Sequence, residues 1–140
     1  YFRDQGITNP GRGWVMVHSE ELTAEAITKA MLAGEFYASS GVSLESVASD
    51  KGSMTVRVAA QPDVKYTIRF VGTRIQGDKI GEIGIPLQES IGPVATYTFT
   101  NDELYVRATV VSSRRHPNGY SPEDFETAWA QPVVVRRLAK

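Results

Sequence analysis

The chain has 140 residues, 41% hydrophobic and 22% charged, a composition that fits one globular domain, or one plus a fragment of another, and argues against disorder. Fifteen Lys plus Arg against sixteen Asp plus Glu leave a formal net charge of -1, which gives no electrostatic case for a nucleic-acid partner or an anionic membrane. The absence of cysteine excludes disulfides, thiolate zinc sites and cysteine nucleophiles.

The compartment stays open, an extracytoplasmic one included, because exported proteins also do without disulfides. No apolar run approaches the roughly 20 residues of a membrane helix. The chain opens on Tyr1-Phe2-Arg3-Asp4, without an initiator Met or a signal-peptide pattern, and is expected to be a piece of something longer.

Residues 1–13 are turn-rich, ending in the breaker run Asn9-Pro10-Gly11-Arg12-Gly13. Trp14 to Val17 reads as a short buried strand. Thr23 is placed to cap a helix in which Ala26, Ile27, Ala30 and Met31 share one face, and Gly34 sits where a left-handed C-terminal cap belongs. After Gly41 the period changes to two. Val42, Leu44, Ser46 and Ala48 alternate with their neighbours, and Asp50-Lys51-Gly52 forms a hairpin loop in which Gly52 is free to take positive φ. Further alternating runs cover 54–58, 66–70, 95–99 and 104–110, and Pro132 to Val135 closes the series. Two stretches break the rhythm. Residues 72–93, rich in Gly and Pro, read as a loop with one irregular strand near Gly81 to Leu87. Residues 112–127 read as a long interruption of a strand pair, and so long a connection is often functional. The expected fold is mainly β: an immunoglobulin-like or jelly-roll-type antiparallel β-sandwich with one N-terminal strand-helix unit.

Signals for chemistry are sparse. His18 and His116 are the two histidines, without a His-x-His or HExxH pattern, while a zinc or two-metal centre needs several ligands converging on one point. His18 reads as a satisfied residue at a strand end and His116 as an exposed loop residue. Nothing like Gly-x-Ser-x-Gly holds a nucleophile, and Ser39-Ser40-Gly41 reads as a tight exit from an element. Gly11-Arg12-Gly13 precedes a strand instead of following one, so it is no phosphate cradle. Glu123, Asp124 and Glu126 match no EF-hand spacing. Trp14, Tyr97 and Phe99 read as core. Trp129 can face either way, and Tyr120 beside Asn118-Gly119 reads as exposed. An exposed aromatic next to Asn and Arg is a common way to hold a sugar ring. The candidate binding residues are therefore Arg114, Arg115, His116, Asn118, Tyr120 and Trp129; the plainer alternatives are solvated surface charge for the arginines, an exposed loop position for His116, and a loop that packs on its own domain for the aromatic region.

Three segments together carry a resemblance: Asn9-Pro-Gly-Arg-Gly-Trp-Val-Met-Val17; Leu22-Thr23 followed by Ala33-Gly34-Glu35-Phe36-Tyr37-Ala38-Ser39-Ser40-Gly41; and Tyr105-Val-Arg-Ala108 followed by Ala128-Trp129 and Gln131-Pro132. In this order and spacing the chain resembles the C-terminal part of PHP-domain metal-dependent phosphoesterases. The resemblance implies a distorted β/α barrel upstream, whose catalytic divalent metals are held by His, Asp and Glu. It implies that the last Asp-x-His ligand pair precedes the segment matching 9–17. Asp4 lies near that place, but no His follows it two residues later, so no ligand is carried over to this chain. Residues 1–40 are then the barrel's last strand and helix, and 41–140 an appended β-sandwich accessory domain. The insert around 112–127 departs from the simpler members.

Three readings follow: a non-catalytic accessory module whose partner is its own upstream barrel, which it braces or helps to bind substrate; a glycan-binding β-sandwich; and a small stand-alone hydrolase using His116 with Glu123 or Asp124. The apolar helix face either packs on the sandwich or, if it belongs to a barrel, drives homodimerisation.

Overall fold

The computed structural model describes residues 10–77 and 79–136; the turn-rich opening up to Asn9, Asp4 included, lies outside them. In chain order the elements are β1 (Trp14–Val17), α1 (Ala24–Ala33), β2 (Phe36–Ser39), β3 (Leu44–Ser49), β4 (Ser53–Val58), β5 (Tyr66–Gln76), β6 (Lys79–Ile80), β7 (Ile85–Ile91), β8 (Val94–Thr98), β9 (Glu103–Arg115), β10 (Phe125–Trp129) and β11 (Val133–Val134).

Alternate side chains of a strand point to opposite faces, so an apolar-polar rhythm buries one face and wets the other. Met54, Val56 and Val58 of β4 are buried while Arg57 is exposed; Val106, Ala108 and Val110 of β9 are buried while Arg107 is exposed. The strands assemble into two antiparallel sheets. One runs β1-β2-β10-β9-β5-β6, with β7 also on β5 and β11 also on β9; the other is β3-β4-β8. Their apolar faces meet in a single core, so the molecule is a mainly β, antiparallel sandwich with one helix. Phe70 of the large sheet and Tyr97 of the small one stack across it with ring centroids 5.6 Å apart. Met54, Val56, Ile68 and Phe70 are fully buried, each contributing about 1.5–3 kcal/mol by leaving water.

The helix forms as its caps predict. The Thr23 hydroxyl accepts from the Ala26 amide, and Gly34 adopts φ 80°, ψ 15° while donating to the Ala30 and Met31 carbonyls. β2 joins β10 through the pairs Ala128–Ser39 and Trp129–Ala38, so the strand-helix unit continues the large sheet.

Several expectations need correction. β1 is a strand but not a buried one: Trp14 is 47% exposed, because among the described residues β1 lies at the end of the sheet with β2 as its one neighbour. The rhythm of β3 is broken by a bulge between Leu44 and Ser46, so Val47, not Ser46 or Ala48, lies opposite the buried Val56. In the 50–52 loop the turn is made by the Asp50 carboxylate, which accepts from the Gly52 and Ser53 amides at 2.7 Å each; Gly52 takes no positive φ. Residues 72–93 are largely strand. β5 continues to Gln76 and β7 pairs with it, with Pro86 accommodated at a register shift. Residues 112–115 belong to β9, so the long connection is 116–124.

A polar cluster closes one end of the sandwich. Glu103, at the start of β9, is completely buried. Its carboxylate accepts from the Tyr97 hydroxyl at 2.6 Å, the Thr100 hydroxyl at 2.7 Å and the Thr100 amide at 3.1 Å. Arg74 of β5 donates to Asp102 at 3.0 Å and to the Tyr97 hydroxyl at 3.3 Å. Burial works against the charged form of Glu103, yet the bonds from Tyr97 and Thr100 outweigh it and hold the carboxyl below its ordinary range. Burial, and then the Glu103 carboxylate, push the Tyr97 phenol up to about 12. Thus β8 of one sheet is tied to β9 and β5 of the other.

Tyr97→Phe removes a donor from a buried carboxylate and is expected to cost about 1.5–3 kcal/mol in urea unfolding. The depressed Glu103 stabilises the fold above its ordinary value of 4.5 and loses that contribution as pH falls through its folded value. The raised Tyr97 stabilises below 10 and loses its contribution as pH rises towards about 12. An unfolding profile without both shoulders, or a Tyr97→Phe variant as stable as the parent, contradicts this assignment.

Candidate functional site

On the outer face of the large sheet, where β9 passes through the 116–124 loop into β10, lies a cleft of about 390 Å³. Val111, Thr127 and Trp129 come from the sheet; His116, Gly119, Tyr120, Glu123 and Asp124 from the loop; Arg12 from the segment before β1. Trp129 also borders a second depression of about 590 Å³ with Tyr105, Arg107 and Val134.

The loop is built from its own polar groups. The His116 amide donates to the Asp124 carbonyl at 2.8 Å, and the Asp124 amide to the Ser121 carbonyl at 3.1 Å. The Asp124 carboxylate accepts from the Ser121 amide at 3.0 Å and from its hydroxyl at 3.3 Å. The Ser121 amide, foremost, holds that carboxyl below its ordinary range. Gly119 is required by space: a Cβ there would lie 2.8 Å from the Ser121 carbonyl oxygen and 2.9 Å from Asp124 Cβ.

His116 fastens the loop to the N-terminal segment. Its Nδ1 accepts from the Asn118 amide at 3.0 Å, so the ring proton sits on Nε2, which donates to the Arg12 carbonyl at 2.9 Å. Asn118 Nδ2 adds a longer bond of 3.4 Å to the Pro10 carbonyl. His116 is therefore half-buried and knitted in, a correction to its reading as an exposed loop residue. Both ring nitrogens being engaged with backbone, neither is free to activate a nucleophile, and neither bonds Glu123 or Asp124.

The other candidates divide. Tyr120 is 58% exposed as expected, with the Arg12 guanidinium 5.5 Å from its ring centroid. Trp129 faces outward and is 38% exposed. Arg115 packs its guanidinium 4.4 Å from the Phe125 ring centre and pairs with Glu123 at 2.7 Å, which makes it a wall support. Arg114 is exposed and lines neither depression. His18 lies exposed after β1, its amide bonded to the Glu35 carbonyl at 2.8 Å.

Arg12, Ser40, Val111, Phe125 and Thr127 also line the cleft, and no sequence motif marks them. Ser39-Ser40-Gly41 is indeed a tight exit: Ser39 Oγ donates to the Val42 carbonyl at 2.7 Å, and Ser40 Oγ accepts from the Thr127 amide at 3.0 Å. Gly41 has φ 148°, and a Cβ there would lie 2.5 Å from Glu126 Cγ. Arg12 and His116 are 104 residues apart in sequence, and no spacing joins them. Among the described residues no three His, Asp or Glu side chains converge to hold a metal ion, so the metal that the PHP resemblance implies finds no ligand set in them.

His116→Ala is expected to destabilise the fold by about 1–3 kcal/mol, since it unpairs the Arg12 carbonyl and the Asn118 amide, and to speed hydrogen exchange at Asn118. Unchanged exchange there would show that the imidazole does not hold the loop.

No family model, no curated protein and no solved structure matches this chain, so its functional reading rests on its own residues.

Proposed function

We propose that the chain is a non-catalytic accessory unit of a PHP-type metal-dependent phosphoesterase, bracing the barrel or helping it to bind substrate. The single observation that carries this reading is the unpaired apolar surface of the β1–α1 unit. Leu32 is 86% exposed and Met31 41%, and Leu22 is 95% exposed. Leu22 occupies the position before the Thr23 cap, where an apolar residue usually folds back onto the helix's fourth residue, here Ile27. It stands in solvent instead. Beside it β1 offers a strand edge, Trp14–Val17, that bears no charge and pairs only with β2 among the described residues. A contiguous element with so much uncovered apolar surface is suited to being covered by another body, and the upstream barrel expected from the resemblance is that body.

A second reading, a glycan-binding module, draws on the meeting of Tyr120 and Trp129 at one cleft, with retention on an affinity gel that Tyr120→Ala and Trp129→Ala abolish as its signature.

Two measurements test the accessory reading. With Mn²⁺ or Mg²⁺ added, the chain is expected to leave aryl phosphates intact; metal-dependent turnover by this chain overturns the reading. Leu22→Glu with Leu32→Glu is expected to leave the chain's own stability within about 0.5 kcal/mol, as exposed substitutions do, while weakening its association with a PHP barrel. Equal association by the double variant contradicts the docking face.

A further inference from the structure

We propose that the cleft between the 116–124 loop and β10 takes a small ring-bearing carboxylate, with Arg12 as the group that binds its anion. This inference is independent of the accessory reading, which rests on the exposed apolar residues of β1 and α1.

The carboxylates, the imidazole and the aliphatic hydroxyls at the cleft are already engaged inside the molecule. Glu123 is paired with Arg115 at 2.7 Å. Asp124 is held by the Ser121 amide and hydroxyl. His116 uses both ring nitrogens on backbone groups. Ser40 Oγ accepts from the Thr127 amide, and Thr127 Oγ1 donates to the Phe125 carbonyl. Arg12 is the exception among the charged groups. Its Nε is buried and has no hydrogen-bond partner, and the ion pairs among the described residues involve Arg69, Arg74 and Arg115 instead. A buried N–H without an acceptor costs free energy and calls for an explanation. A guanidinium presents donors in a planar fork that matches a carboxylate.

The remaining surface is apolar and aromatic. Tyr120, Phe125 and Trp129 are 58%, 37% and 38% exposed and border the same space. They offer ring faces and edges to a flat ligand but few donors or acceptors. A neutral sugar would bring many hydroxyls and meet few open partners: the Arg12 guanidinium, the Tyr120 hydroxyl and the Trp129 indole N–H. A ring with a single carboxylate leaves no group of its own unpaired. The cleft, at about 390 Å³, falls in the size range of small-ligand sites.

The test is a titration of the chain, followed by amide and side-chain NH NMR signals, with benzoate, phenyl phosphate, benzyl alcohol and methyl glucoside as probes. Benzoate is expected to shift the Arg12 Nε–H and Trp129 indole signals saturably. Benzyl alcohol, which has the ring without the charge, and methyl glucoside are expected to bind at least about tenfold more weakly. Arg12→Gln is expected to weaken benzoate by about tenfold or more; it keeps the backbone carbonyl that His116 holds, and an otherwise unchanged spectrum verifies its fold. Tyr120→Ala supplies a second variant on the ring side, expected to weaken benzoate as well. The proposal is overturned if benzyl alcohol binds as tightly as benzoate, if Arg12→Gln leaves benzoate affinity unchanged, or if none of the probes shifts these signals. Preferential binding of phenyl phosphate overturns the carboxylate assignment. Preferential binding of methyl glucoside overturns the proposal in favour of the glycan reading and leaves the accessory reading untouched.

Discussion

Strand β9 is the constraint on which the molecule depends. Over thirteen residues it must satisfy hydrogen-bonding groups on both edges. It does so with β5 along one side and with β10 and then β11 along the other. A central strand of that length has no solvent to fall back on, so its register fixes everything laid beside it. Val106, Ala108 and Val110 face the core because that register places Gly72, Phe70 and Ile68 opposite them. The small sheet can then close over them, and the Phe70–Tyr97 contact marks the meeting of the two layers.

Both ends of β9 are pinned by polar groups that the core requires to be paired. At its start, the buried Glu103 draws in Tyr97 and Thr100 and, through Tyr97, Arg74. At its end, the strand passes directly into His116, whose imidazole fastens the Arg12 carbonyl. The first end is structural, holding two sheets together. The second creates a recess, because a loop fastened at both its base and its tip stands away from the sheet and leaves the outer face of Val111 and Trp129 open. The cleft is thereby pre-formed, and pre-formation lowers the ordering cost that a ligand would meet.

What the sequence makes legible follows interaction range. Alternation in β4, β5, β8 and β9 is a local consequence of burying one face, so these strands and their core residues were readable. The Thr23 and Gly34 caps were readable for the same reason. The Val47 register escaped because a bulge changes phase by one residue without altering composition. Trp14 escaped because an edge position is decided by which strands are available, not by the side chain. β7 was hidden by its Pro86, which only a register shift in the pairing with β5 makes tolerable. At the cleft, Tyr120, His116 and Trp129 stood out by type, but their environment did not. Whether His116 was exposed or engaged depended on a carbonyl 104 residues away. Arg12, the open group of the cleft, was visible only as the middle of a glycine pair.

His116 locks the loop onto the N-terminal segment and so shapes the cleft. The most direct measurement is the imidazole's nitrogen chemical shifts and long-range ¹H–¹⁵N couplings at neutral pH. A single tautomer is expected, with the proton on Nε2 and an acceptor lone pair on Nδ1. A ring protonated on Nδ1, or averaging freely between tautomers as an exposed histidine does, would contradict it.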